Sequence, residues 1–265
     1  MKFTLKIRAA MRDGAGGAAL VLGTSQRDAI AFGASSLGMV AFVETVKALA
    51  ARGVFSSLAA RKLMHIGCGP LFVLTWPLFS ERGASAASCV PLAMSLKFAA
   101  TGLGLLRNDA EVRAMSRTGA PRELLRGPLL YGLAFVALTR LCWRSAPGVA
   151  GMMALCFGDG MAEVVGRRYG AARRARLPWS PRKSWIGSAA FLVSAAASGL
   201  ASVGLFHQLG WVEAPPAALL APLLLAVLAG CIVESLPLND ADNVLVPLVV
   251  AAVLARLQPD AALQR

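Results

Sequence analysis

Asp159 and Glu163 stand four residues apart in FGDGMAEVVGRRYG, residues 157–170, at the end of a long apolar segment. That spacing sets both carboxylates on one face of a helix, about one turn apart. Like charges so close repel unless a cation lies between them, and each unpaired acid costs about 2.5–3.5 kcal/mol deep in a bilayer. Two readings follow. Either the pair sits where the segment meets water, or it holds Mg²⁺, which takes hard oxygen ligands together with substrate phosphates. Gly158 and Gly160 would let a ligand approach the backbone closely.

Three further clusters have the right chemistry to serve such a site. Gly166 and Gly170 bracket Arg167 and Arg168, and no acid occurs from Gly166 to Ser184. Arg173, Arg174 and Arg176 read as an ordinary basic loop, but Lys183 precedes Ser184 and Gly187 at the expected start of a helix. A lysine beside a helix N-terminus offers a phosphate a point charge, free N–H groups and the helix dipole. Glu234, Asp240, Asp242 and Asn243 form an acidic turn around Pro237; by itself it reads equally well as a solvent turn. Arg61, Lys62 and His65 cluster at the start of another apolar segment, suited to phosphate contact or orientation. His207 has no such company.

Soluble catalytic signatures are absent. No GxxxxGK[ST], GxSxG or HExxH occurs, and Gly158-x-Gly160 is followed by Glu163 where a dinucleotide fingerprint needs glycine. The five cysteines are scattered, with no CxxC pair, and there are only two histidines; buried thiols explain them better than disulfides or zinc. The chemistry must therefore be assembled by the apolar segments and their connections.

Those segments dominate the chain. It is 57% hydrophobic and 15% charged, with a mean hydropathy of +0.62, whereas soluble domains carry about 25% charged residues. Apolar blocks of membrane-spanning length fall at 28–50, 63–80, 84–106, 127–144, 147–165, 185–207, 216–236 and 243–257. The first is interrupted by Glu44 and Lys47 and the last is short, so the expectation is an all-α polytopic bundle of seven or eight transmembrane helices. One membrane domain, 28–257, lies between a basic tail or targeting segment, 1–27, and a C-terminal tail, 258–265.

If the spans alternate, loops 51–62, 107–126 and 166–184 share one face. They hold three, five and seven Lys/Arg residues, more than half of the chain's 27. By the positive-inside rule this face is cytoplasmic, or stromal in a plastid, and the acidic turn at 237–242 lands on it too. The net charge of +13 thus reads as membrane orientation and phosphate binding, and no nucleic-acid partner is expected.

In order and approximate spacing, RKLMHIGCG (61–69), MSRTGAPRELLRGPLLYG (115–132), FGDGMAEVVGRRYG (157–170), RKSWIGS (182–188) and VESLPLNDADNVLVP (233–247) resemble the CTP-dependent polyprenol kinases. The second block is most similar to the phytol and farnesol kinase branch. The resemblance implies phosphoryl transfer from CTP to an isoprenoid alcohol drawn from the bilayer lipid, phytol first, then geranylgeraniol or farnesol. The product would feed prenyl-diphosphate and tocopherol-type synthesis. It implies Mg²⁺ as cofactor and nucleotide or metal roles for Asp159, Glu163 and Lys183. Asp240 and Asp242 match the family's acidic turn. The base for the alcohol is open among Asp159, Glu163, Asp240 and Asp242. The location implied is a multi-pass membrane protein of the chloroplast in a plant or alga, or otherwise of the endoplasmic reticulum or bacterial inner membrane. Cytidylyl transfer onto a lipid phosphate is the alternative, and a non-enzymatic transporter ranks below it.

Overall fold

The computed structural model describes residues 23–170 and 175–258. Residues 1–22 of the expected N-terminal segment, Arg173 and Arg174 of the basic loop, and 259–265 of the expected C-terminal tail lie outside the described residues.

The fold is an all-α polytopic membrane bundle. Its helices are α1 (Thr24–Ala51), α2 (Ser57–Thr75), α3 (Ala84–Gly102), α4 (Asp109–Met115), α5 (Gly127–Leu141), α6 (Ala146–Met153), α7 (Gly160–Tyr169), α8 (Trp185–Gln208), α9 (Pro216–Ser235) and α10 (Asp242–Leu257). A π-helical turn, Ala154–Asp159, joins α6 to α7 without a break. Among the described residues, then, helical segments occupy all eight expected positions. Five of them, including the continuous Ala146–Tyr169, are long and apolar enough to cross a membrane.

The segment Ala146–Tyr169 is the hub. Two-thirds of its most apolar stretch is buried, against a third or less in the other four, and every residue of α6 is buried. Small residues make this possible. Gly151 is so close to α10 that a Cβ there would lie 2.7 Å from Pro247 O. The outer helices point leucine and valine outward: Leu37, Leu96 and Val193 are each more than 60% exposed. Lipid-facing apolar side chains are the norm when the solvent is hydrocarbon. In α1 the two interrupting charges cancel locally, because Lys47 Nζ donates to Glu44 Oε1 at 2.7 Å.

Three local features depart from the sequence expectation. α2 starts six residues before the expected 63, because Ser56 caps it by accepting from Ala59 N–H at 3.2 Å. Arg61, Lys62 and His65 therefore sit inside a helix rather than at its entrance. The connection 107–126 contains α4, capped by Asn108 through Glu111 N–H at 3.0 Å, and a 3₁₀ turn, Pro121–Leu125. The basic loop before α8 contains an antiparallel hairpin, β1 (Arg176–Leu177) and β2 (Ser180–Ser184).

At the end of the bundle away from the basic loops, α1, α2 and the α5–α6 turn are tied together. Arg27 donates to the carbonyls of Leu78 and Pro77, both at 3.0 Å, and Asp28 accepts from Ser80 N–H and Oγ–H. Arg144, turned inward by a left-handed backbone (φ 50°), donates to Trp76 O at 2.9 Å and Phe79 O at 2.6 Å. Its guanidinium lies against the rings of Trp143 and Trp211. Burial, reinforced by Arg27, pulls the Arg144 pKa down to about 10, which leaves it cationic at neutral pH. Arg144→Ala strands two carbonyls and is expected to cost about 2–3 kcal/mol, read as a lower Tm of the detergent-solubilised protein.

Candidate active site

One cavity of about 700 Å³ opens among the basic-face ends of the helices. Its outer part is lined by charged groups, including Arg61, Lys62, Asp159, Glu163, Lys183 and Asp242. Its inner part is lined by Cys68, Met94 and Phe135. The four sequence clusters, distant along the chain, meet in its polar half. The shared face expected for the three basic loops and the acidic turn is realised here, since Arg61, Arg117, Arg167 and Asp240 all line it.

The polar half divides into two lobes of opposite charge. In the basic lobe, Glu163 on α7 is surrounded by cations: Lys62 Nζ contacts Oε2, while Arg61 Nη2 and Arg167 Nη2 approach Oε1 at 3.5 and 2.9 Å. The Arg167 pair is an i,i+4 contact along α7. Glu163 thereby holds three cations together. The surplus positive charge, in a partly buried pocket, suits an incoming polyanion.

In the acidic lobe, Lys183 on β2 is shared by two carboxylates. Its Nζ donates to Glu234 Oε1 at 2.6 Å and Asp242 Oδ2 at 3.1 Å. Burial lowers the Lys183 pKa, but Glu234, Asp159 and Asp242 together overcome this and raise it above its ordinary value. Glu234 is 3% exposed, and its Oε2 has no hydrogen-bond partner. Asp242 also accepts from Asn243 N–H at 3.0 Å, and Asn243 Nδ2 donates to Asp240 O at 3.3 Å. Asp240 itself faces Arg117 at 3.7 Å.

Asp159 stands between the lobes at the level where the lining changes character. His65 Nε2 lies 3.2 Å from Asp159 Oδ2 and 3.1 Å from Leu155 O. Behind it, Tyr131 Oη donates to His65 O at 2.6 Å. Along α2 the lining runs from Arg61 and Lys62 through His65 to Cys68; along α5 it runs from Gly127 through Tyr131 to Phe135. The π-helical turn ends on Asp159. Such turns insert an extra residue per turn and recur at functional sites.

The structure brings together Asp159, Glu163, Lys183, Asp240, Asp242, Glu234, Asn243, Arg61, Lys62, His65, Arg167, Gly166, Ser184 and Gly187 along one cavity wall. Gly158, Gly160 and Gly170 do not line it. A Cβ on Gly158 would come within 2.7 Å of Phe191, and one on Gly160 within 2.5 Å of Ile66. Their smallness serves helix packing, not ligand approach. Gly166 and Gly187 likewise join α7 to α8: a Cβ on Gly187 would meet Ala162 O at 3.0 Å. The Gly187 N–H is taken by Ser184 Oγ, so the start of α8 is already capped. Asp159 and Glu163 do share a face, but each has its own basic partners.

Sequence reasoning did not single out Arg117, Glu123, Arg126, Ser180 or Tyr131, all in the lining. The stretch MSRTGAPRELLRGPLLYG (115–132) held the first three and Tyr131, and the density of arginine in 107–126 was a further signal for Arg117 and Arg126; Ser180 carried none. Ser180 is 1% exposed and its Oγ is unpartnered.

No protein-family model matches the chain, and no solved structure matches it. Curated relatives do. A probable chloroplastic phytol kinase 2 of Oryza sativa subsp. japonica is 38% identical over 218 residues, 80% of this chain and 69% of its own length. The chloroplastic farnesol kinase of Arabidopsis thaliana is 36% identical over 220 residues, 82% of this chain and 70% of its own. Phytol kinase 1 of the same plant is 34% identical over 223 residues, 82% and 72% respectively.

Lys183→Met leaves Glu234 and Asp242 without their shared cation and is expected to destabilise the fold by about 3–5 kcal/mol. Adding Glu234→Gln should restore part of this, a coupling of about 1–3 kcal/mol. Thermal unfolding of the two single variants and the double variant in one detergent measures it.

Proposed function

The chain belongs to the phytol and farnesol kinase family, and we propose that it transfers the terminal phosphoryl group of CTP to an isoprenoid alcohol, phytol or a prenol of similar length. It is a kinase with an alcohol acceptor. The observation that supports this acceptor and donor best is the single cavity whose charged mouth and apolar interior meet at Asp159 and His65. A prenol gains about 0.8 kcal/mol for each CH₂ removed from water, so it arrives from the bilayer. A nucleoside triphosphate is a polyanion and arrives from water. Only at such a seam do the two meet.

In this reading the prenol hydroxyl lies at Asp159, which His65 orients, and the triphosphate lies against Arg61, Lys62 and Arg167. The prenol oxygen forms a bond to the γ-phosphorus as the bond from that phosphorus to the β–γ bridging oxygen breaks. CDP leaves with the electron pair, and the hydroxyl proton passes to the Asp159 carboxylate. Transfer of this kind depends on in-line positioning and charge neutralisation, which the arginines and Lys62 supply. Glu163 keeps those cations parallel rather than touching substrate.

Mg²⁺ fits the acidic lobe better than the Asp159–Glu163 pair. Glu163 Oε1 and Glu234 Oε2 are both buried without a hydrogen bond, but both Glu163 oxygens face cations, whereas Lys183 meets Glu234 through Oε1. Glu234 and Asp242 would hold the ion, which when bound neutralises charge on the transferring phosphate. Lys183 is then free to turn its ammonium toward phosphate. In a plant or alga the same reading locates the chain as a multi-pass protein of a chloroplast membrane; the relatives' names support the chloroplast, and the five long apolar helices support the membrane. Its product is a prenyl monophosphate, one phosphorylation short of the diphosphates used in prenyl transfer to tocopherol-type lipids.

Purified protein given CTP, Mg²⁺ and phytol should yield phytyl phosphate and CDP. Release of pyrophosphate instead would mean cytidylyl transfer, and no CTP turnover with any prenol would sink the assignment. Asp159→Asn should lower kcat at least 100-fold with little change in KM for CTP, whereas Lys62→Met should act mainly on that KM. Glu234→Gln should abolish the Mg²⁺-dependent part of the thermal stabilisation that CTP confers.

A further inference from the structure

Beyond Asp159 the cavity continues as an apolar arm between α1, α2, α3 and α5. Its lining includes Cys68 from α2, Pro91 and Met94 from α3, and Gly132 and Phe135 from α5. Gly132 keeps the arm's α3 side tight, since a Cβ there would meet Ser95 Oγ at 2.2 Å.

On α5 the last lining residue is Phe135 and on α2 it is Cys68, while on α3 it is Pro91 and on α1 it is Met39; the next turns contribute nothing to the lining. Phe135 is 3% exposed and its ring centroid lies 5.9 Å from that of Phe72, which is 1% exposed. Phe72 in turn stands edge-on to the fully buried Trp76 at 6.3 Å. Phe135 also packs against Tyr131, at 4.7 Å between centroids, which ties the arm's end to its polar seam. Gly127 to Phe135 is eight residues of α5, about 12 Å at 1.5 Å per residue. The arm therefore ends near the middle of a hydrocarbon core about 30 Å thick.

We propose that this arm is the prenyl-tail site and that Phe135, backed by Phe72 and Trp76, is its floor, setting the longest tail that reaches the reaction with full efficiency. The inference rests on the alcohol-kinase reading and adds to it the part of the protein that reads tail length. An apolar pocket discriminates by about ten-fold or more per misfitting group, and an aromatic floor held by two further rings does not yield as a methionine would.

The test uses the full-length protein in lipid nanodiscs with CTP and a series of geraniol, farnesol, geranylgeraniol and a longer prenol. Phe135→Ala and the gentler Phe135→Leu should raise the ratio of kcat/KM for the longer prenol over geranylgeraniol, the alanine by about ten-fold. Met94→Trp, which fills the arm, should lower it. A farnesol analogue with a photoreactive group at the tail end should label wild-type protein within residues 127–141. An unchanged ratio in variants that keep the wild-type Tm overturns the proposal, as does labelling confined to lipid-facing leucines. Failure of the wild type to phosphorylate any alcohol would overturn the kinase reading instead, so the two failures are distinct.

Discussion

An ammonium group shared by two buried carboxylates organises the basic end of this bundle. Lys183 reaches from β2 to Glu234 at the end of α9 and to Asp242 at the start of α10. The hairpin and the α9–α10 turn, more than fifty residues apart, are thereby fixed against one another in a half-buried place where an unpaired charge costs several kcal/mol. The turn between α9 and α10, the hairpin and the start of α8 all depend on that contact. With it in place, one wall of the cavity is closed, and Asp159 on the hub segment faces a defined set of charges rather than bulk water.

The second organising constraint is that one enclosure must serve two solvents. A hydrocarbon tail and a polyphosphate cannot share a uniform pocket, because whatever favours one repels the other. This chain separates them along the helix axes: charge at Arg61 and Lys62 on α2 and at Arg126 just before α5, then Cys68 on α2 and Phe135 on α5. The change occurs over a single turn, at His65 and Tyr131. Within the polar half a second separation, of acids around Lys183 from cations around Glu163, keeps opposite charges from collapsing onto one another.

Much of this was legible in the sequence. Blocks of apolar residues with Lys/Arg concentrated in alternate loops fix the helices and the face on which they present charge, because both follow from hydrocarbon solvation. The clusters at 61–65, 159–163, 182–187 and 234–243 also converge as their shared face implies. Pairing was not legible. Asp159 and Glu163 are i,i+4 neighbours, yet they answer to His65 and to Lys62, residues supplied by another helix; periodicity along one helix says nothing about a partner across a groove. Glycine was misread for a similar reason. At Gly158 and Gly160 the small side chain answers to Phe191 and Ile66, and only the packed structure tells a close helix from a close ligand. The π-helical turn and the hairpin left no compositional trace.

The glycines between α7 and α8 have a mechanical consequence. With Gly166 against Gly187 and Ser184, those two helices touch backbone to backbone and cannot slide without a clash. The side formed by α1, α3 and α4 is built differently: Met39, Met94 and Met115 line it, and unbranched thioether chains change shape at little cost. The enclosure is thus stiff on the side that carries Asp159 and Glu163 and compliant on the side that meets the tail. Breathing of the bundle is absorbed by the methionine wall, so the reacting groups keep their spacing while acceptors of differing girth come and go.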